Sequence, residues 1–226
     1  MGNADNEEIW KVFRHGNILY FQSFNELYYV NGTKTGKIKF PSQISYCYVV
    51  DGDIYVASVR NGIYKFDGKN FIHISNWPEL KDNVVHGVEK YGAETYIFTK
   101  YSGVYLVNGE KLVPWQHPLN SRFKNEVIVT ARFAGNTMVV GTGLQGVYLV
   151  DIKSGAFKNI NRSNSLKNNA VLSIAIDREK DLWLGLDNGV AHIELNSPVS
   201  IFTDNIGILG SVYSLSETAG GIFICN

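Results

Sequence analysis

The sequence predicts an all-β chain made of short four-stranded sheets in series. Three observations carry that expectation. Apolar strand-like runs alternate with polar turns along the whole chain. The 226 residues include 13 Tyr, 12 Phe, 4 Trp and 22 Gly but only 2 Met, a composition that favours strands and tight turns over helices. One hairpin pattern also recurs at a near-constant interval, and no stretch keeps a helical apolar period for more than a turn or two.

The recurrence is anchored on the Gly after a polar turn. Gly62, Gly103, Gly146 and Gly189 lie 41, 43 and 43 residues apart, and Glu26 fills the same place 36 residues before Gly62. Before each turn stands an apolar strand: "ILYF", "IYVA", "TYIF", "TMVV", "LWLG". After each comes a second: "LYYV", "IYKF", "VYLV", "VYLV", "VAHIEL". Upstream of each hairpin is a third ("EIWKVF", "YCYVV", "VVHGVEK", "VIVTARF", "VLSIAID"), and a short fourth closes each unit ("KIKF", "FIHI", "LVPW", "AFKNI", "VSIF"). A sixth unit opens with "SVYSLSETAGGIFICN".

Four short strands at a period of about 40 to 45 residues mark a β-propeller blade. A two-residue hairpin loop needs positive φ, which Asn61-Gly62 and Asn188-Gly189 supply. Ser102-Gly103 and Gln145-Gly146 are weaker versions, and Asn25-Glu26 departs from the rule. Strands such as "LWLGL" and "MVVG" are apolar on both faces, as in a sheet sandwiched between two neighbours. The expectation is about five full blades and a truncated sixth, over roughly 8–40, 44–75, 84–115, 127–160, 170–202 and 211–226. Such a chain is a fragment of a larger propeller, and its open sheet edges favour self-association.

Composition excludes several classes. Lys plus Arg is 21 and Asp plus Glu is 21, without the basic surplus of a nucleic-acid binder. No apolar run approaches the roughly 18 residues of a membrane helix. The start, "MGNADNEE", lacks the basic and apolar regions of a signal peptide. Cys47 and Cys225 form neither a disulfide framework nor a metal motif, and both read as buried free thiols, with a long-range disulfide as the alternative. No cofactor or metal is implied. Sialidase-type Asp boxes, a G-x-S-x-G elbow, H-E-x-x-H and a P-loop are all missing. The acidic pairs Asp51/Asp53 and Asp177/Asp181 read as turn residues bonding their own backbone. The enzyme alternative is a polysaccharide hydrolase or lyase using Glu89, Asp187 and His86, but no motif forces those groups together.

The candidate site is geometric. In a propeller, turns between second and third strands share a face with the loops that enter the next blade. Those turns carry Arg60, Asn61, Tyr101, Gln145 and Asp187. The entry loops bring Asn83, Asn125 and Asn169, and His86 lies just inside its strand, where it can face the channel. Amides, Arg, Tyr and Asp suit bidentate hydrogen bonding to sugar hydroxyls, although the same residue types are ordinary turn formers. Trp10, Trp77 and Trp115 are further candidates for sugar stacking, with packing as the alternative. Zero net charge fits an uncharged ligand better than a polyanion.

"NNAVLSIAIDREKDLWLGLDNGVAHIEL" resembles the two-component-regulator propeller repeat. Asn169, Val171, Ile174, Asp177, Leu182, Trp183, Gly185 and Gly189 occupy matching places. Lys180 stands where Gly is usual and Leu186 where Thr is usual, while the fourth unit keeps the "GT" pair at Gly141 and Thr142. The resemblance implies an extracytoplasmic, periplasmic sensory module of a bacterial regulator. Its output would be a histidine kinase or helix-turn-helix domain outside these residues, and its ligand an oligosaccharide. It also places Trp183 in the core between blades. A protein-interaction scaffold is the alternative, since propellers host both.

Overall fold

The computed structural model describes residues 7–75, 77–81, 83–197, 210–218 and 221–225. The chain folds as a β-propeller. The first blade is β1 (Lys11–His15), β2 (Ile18–Gln22), β3 (Glu26–Asn31) and β4 (Lys34–Lys39). The second is β5 (Ile44–Val50), β6 (Asp53–Ser58), β7 (Ile63–Phe66) and β8 (Phe71–Ser75). The third is β9 (Val85–Tyr91), β10 (Glu94–Thr99), β11 (Gly103–Asn108) and β12 (Lys111–Pro114). The fourth is β13 (Ile128–Ala134), β14 (Thr137–Thr142), β15 (Val147–Asp151) and β16 (Phe157–Ile160).

All four are antiparallel sheets in chain order. A fifth sheet has three strands, β17 (Val171–Ile176), β18 (Leu182–Leu186) and β19 (Gly189–Ile193). Its expected fourth strand, "VSIF" at 199–202, lies outside the described residues. β20 (Ser214–Thr218) and β21 (Gly221–Cys225) form a separate hairpin.

The first strand of each blade is innermost, with β5 beside β9, β9 beside β13 and β13 beside β17. Four apolar clusters fill the seams between consecutive blades. Leu27 of the first blade meets Val56 of the second; Tyr48 meets Ile97; Phe98 meets Met138; Val139 meets Leu184. Neighbouring residues of one strand therefore feed two different cores. Val140 packs toward the third blade and Val139 toward the fifth. This is the two-sided burial that the strand sequences predict.

Trp183 corrects one expectation. Leu182, Leu184 and Leu186 bury their side of β18 against the fourth blade. Trp183 points to the opposite face and is 45% exposed, beside exposed Leu172 and Val190. Trp183 holds the position that Val139 holds in β14, since Gly185 and Gly141 correspond in the repeat. No described residues cover that face, so the indole stacks on His192 at 4.5 Å and donates its Nε1–H to Asp177. Cys225 is a second correction: Cys47 is a buried free thiol as expected, but Cys225 is exposed.

The turn chemistry is richer than Asn-Gly pairs. Gly62, Gly103, Gly146 and Gly189 take φ of +72°, +82°, +78° and +103°, as positive-φ turns require. Only the last turn has two residues, with Leu186 paired to Gly189. In the first four blades a buried hydroxyl at the end of the second strand organises the turn. Thr142 Oγ1 donates to Gly146 O at 2.9 Å and accepts the Gln145 N–H. Thr99 does the same for Gly103 and Ser102. Ser58 accepts from Asn61, and Ser23 accepts from Glu26. In the fifth blade Leu186 has no hydroxyl, and the turn is shorter.

One helix departs from the all-strand reading. The loop entering the fourth blade contains α1 (Leu119–Glu126). Leu119 and Phe123 are buried in the seam between the third and fourth blades. Asn120 Oδ1 accepts the Val104 N–H at 2.7 Å, and its Nδ2 donates to Val104 O and Trp115 O. The helix is thereby locked to the edge of β11.

Candidate functional site

The turns after the second strands and the entry loops do share one face. Backbone bonds join them blade by blade: Val59 N–H to Gln43 O, Lys100 N–H to Val84 O, Gly143 N–H to Val127 O and Asp187 N–H to Ala170 O. Arg60, Asn61, Tyr101, Gln145 and Asp187 are exposed on successive turns of this face. Asn125 is exposed on α1.

Several of these groups also serve the fold. Asn61 Nδ2 donates to Ser42, and its carbonyl lies 2.8 Å from the His73 ring. Asn169 Oδ1 accepts the Arg162 N–H, and its carbonyl accepts from Gly146. Asn83 is turned inward and buried, with Oδ1 unpartnered. Trp115 is buried and stacked on His117 at 4.3 Å. Trp77 is half-buried against the seam between the second and third blades and donates to Glu110 O. Two exposed aromatics add to the face at the first blade: Trp10 and Phe24 line a cleft with Asn25, Glu7 and Glu8. Phe24 was not singled out in the sequence because its turn lacks the anchor Gly.

His86 lies in the channel wall. Its Nδ1 is 2.8 Å from Ile128 O, so Nδ1 carries the proton, and the ring meets Tyr46 edge-on. Burial lowers its pKa to about 4, although the Ile128 carbonyl works in the other direction. The imidazole is neutral near pH 7. Glu89 forms an ion pair with Arg132 and is not hydrogen-bonded to His86 among the described contacts. Burial raises the Glu89 pKa despite Arg132 and Lys11.

Away from the turn-rich face, the inner strands enclose a second pocket of about 370 Å³. Lys11 and Arg14 of β1, Tyr48 of β5, Glu89 of β9 and Arg132 of β13 line it. Tyr48, Glu89 and Arg132 hold the same place in three successive units, 14 residues before Gly62, Gly103 and Gly146, while Lys11 and Arg14 come from the first unit outside that spacing. Asp177, Asp181 and His192 form another group, close enough to share a cation. Its atoms are already engaged: Asp177 accepts from Trp183 and Asp181, and Asp181 accepts from Leu195. The acidic pair thus acts as the turn-forming pair that the sequence predicts.

With this geometry in place, the chain can be set beside known proteins. Residues 165–188 match the family described as two component regulator propeller, the repeat that the sequence resembles. No curated protein matches the chain. Three solved structures are similar in fold. The extracellular domain of the B. thetaiotaomicron hybrid two component system BT4673 has a TM-score of 0.65 and 21% identity, covering 96% of this chain and 32% of its own. That of BT3049 from the same organism has a TM-score of 0.66 and 16% identity, covering 97% of this chain and 34% of its own. The WD40 β-propeller domain of Doa1 has a TM-score of 0.62 and 11% identity, covering 82% of this chain and 62% of its own. At these identities the likeness establishes the propeller fold, and the chain spans about a third of the two extracellular domains. Among the described residues no helix is long and apolar enough to cross a membrane.

Proposed function

We propose that the chain is a ligand-binding segment of an extracytoplasmic, periplasmic propeller in a bacterial signal-transduction regulator. The observation that carries this reading is the match of residues 165–188 to the two component regulator propeller repeat. The ligand is an oligosaccharide held over the turn-rich face, where exposed Arg60, Asn61, Tyr101, Gln145 and Asp187 stand beside Trp10 and Phe24. Planar amides and a guanidinium match vicinal hydroxyls, and the aromatic rings supply apolar platforms. The segment itself performs no catalysis. Output to transcription comes from a kinase or helix-turn-helix domain elsewhere in the regulator, and the segment associates with further copies through its sheet edges.

Binding acts on the regulator only through unequal affinity for two arrangements of its parts. The packed seams keep each blade rigid, so the change falls between domains or protomers. Calorimetry of the purified protein against a neutral glycan panel tests this, with light scattering to follow self-association. Saturable binding that weakens in Tyr101→Ala and Asn61→Ala supports the sensor. Release of new reducing ends would establish the hydrolase or lyase alternative, and protein binding without any glycan binding would establish the scaffold.

A further inference from the structure

The inner-strand pocket has a charge pattern that the overall composition conceals. Lys11, Arg14 and Arg132 bring three cations against a single carboxylate, Glu89. Arg132 is already paired with Glu89. Lys11 has no ion-pair partner among the described residues. Its Nζ donates to Cys47 O at 2.6 Å and sits 4.9 Å from the Tyr48 ring centroid and 5.8 Å from that of Tyr46. A backbone carbonyl and two ring faces stabilise an ammonium but do not neutralise it. The nearby hydroxyl and thiol are neutral, since burial pushes the Cys47 thiol up to about 12 and holds the Tyr48 hydroxyl well above its ordinary value, and Glu89 acts on Lys11 only at longer range while paired with Arg132.

We infer that this pocket is a site for a small hydroxy acid, the size of one sugar acid, whose carboxylate lies between Lys11 and Arg132. The volume of about 370 Å³ is at the small end of ligand pockets. Glu89 gives one oxygen, Oε1, to Arg132, which leaves Oε2 as an acceptor for a ligand hydroxyl. Tyr48, Phe13 and Val88 supply apolar wall. The site lies among the inner strands and is separate from the face invoked for neutral glycans, so the two stand or fall apart. It also reverses, locally, the expectation of an uncharged ligand.

Lys11 gives the site a pH signature. Burial, with Arg132 nearby, lowers its pKa to about 8 against the smaller opposing effects of Cys47 and Glu89. A bound carboxylate adds the missing counter-charge and raises that pKa, so binding near pH 8 takes up protons.

The test is calorimetry of the intact protein with sodium glucuronate, glucose and acetate at pH 7, and with glucuronate at pH 8 in two buffers of different ionisation enthalpy. The expected result is glucuronate binding at least tenfold tighter than glucose or acetate, with proton uptake at pH 8. Lys11→Gln should weaken it at least tenfold, and Lys11→Arg should restore most of it. Circular dichroism on each variant confirms folding, and the wild-type comparison stands even if a variant fails to fold. Equal binding of glucose and glucuronate, no binding of either, or wild-type affinity in folded Lys11→Gln would overturn the proposal. Acetate binding as tightly as glucuronate would overturn its hydroxy-acid part.

Discussion

Removing the Asn120 carboxamide should destabilise the whole propeller through one backbone group. Asn120 is buried and makes three hydrogen bonds at 2.7, 3.0 and 2.9 Å. Their partners differ in what remains after Asn120→Ala. Val104 O still accepts the Trp115 N–H, and Trp115 O still accepts the His117 N–H. Val104 N–H loses its Asn120 acceptor and is left a buried donor at a site with no exposure to water. An unsatisfied buried donor costs about 1–3 kcal/mol, and the two lost bonds to already satisfied carbonyls add up to about 1 kcal/mol together. The expected loss is therefore about 2–4 kcal/mol, a fall in melting temperature of roughly 4–16 °C for a chain of this size. Urea unfolding followed by tryptophan fluorescence measures it. The expected curve has a lower midpoint and an unchanged slope. A loss below about 0.5 kcal/mol would refute the reasoning, because it would mean that water or a shifted loop satisfies Val104. Asn120→Asp separates the acceptor from the donors: it keeps an oxygen for Val104 but sets a carboxylate against two carbonyls, so it should rescue little at pH 7.

Two further outcomes follow from the same geometry. Thr142→Val removes the hydroxyl that bonds Gly146 O and the Gln145 N–H; a loss of about 1–2 kcal/mol is expected by urea unfolding, whereas introducing the hydroxyl by Leu186→Thr should not yield a matching gain, because that turn is shorter. His86 has a folded pKa lowered to about 4, below its unfolded value, so its contribution is fully present above the unfolded pKa and is lost as pH falls from about 6.5 towards 4. A loss of up to about 3 kcal/mol over that window should appear in pH-dependent unfolding and flatten in His86→Gln; an equally steep profile in that variant would show that other groups drive it.

The propeller was legible in the sequence because its repeat is a physical necessity. Inner blades bury both faces, and the second-to-third turns of the second to fifth blades each carry a Gly at positive φ, so both constraints recur along the chain. The hydroxyl before the turn was legible only in part. "GT" stood out at Gly141 and Thr142, but Ser23, Ser58 and Thr99 do the same work in other letters, and recognising them requires the hydrogen bonds. Lys180 stands where the repeat usually has Gly, and the structure gives the reason for that preference: its φ is +70°. The helix α1 was missed because eight residues with three buried side chains leave too short a periodic signal. Trp183 was assigned to a core by its place in the repeat, but burial also depends on what lies across its face. The channel pocket was legible only in part. Tyr48, Glu89 and Arg132 hold the same place in successive units, each 14 residues before its anchor Gly, but Lys11 and Arg14 of the first unit do not share that place, and only the ring brings them beside it.

The two proposed ligand locations would have different consequences for signalling. A glycan over the turn-rich face touches loops whose backbone bonds already tie each entry loop to its own blade. Such a ligand can bridge to another domain while the blades beneath stay as they are. A carboxylate in the channel pocket instead touches inner strands directly, Lys11 on β1 of the first blade and Arg132 on β13 of the fourth. The first blade meets the second through the Leu27–Val56 seam, and the fourth meets the third through the Phe98–Met138 seam. A charge bound between blades one and four therefore favours the arrangement that brings those inner strands together, and disfavours any arrangement that separates Lys11 from Arg132. This unequal affinity is what a ligand needs to shift an equilibrium. With the seams packed and the blades rigid, such a bias would be passed on to neighbouring domains or protomers.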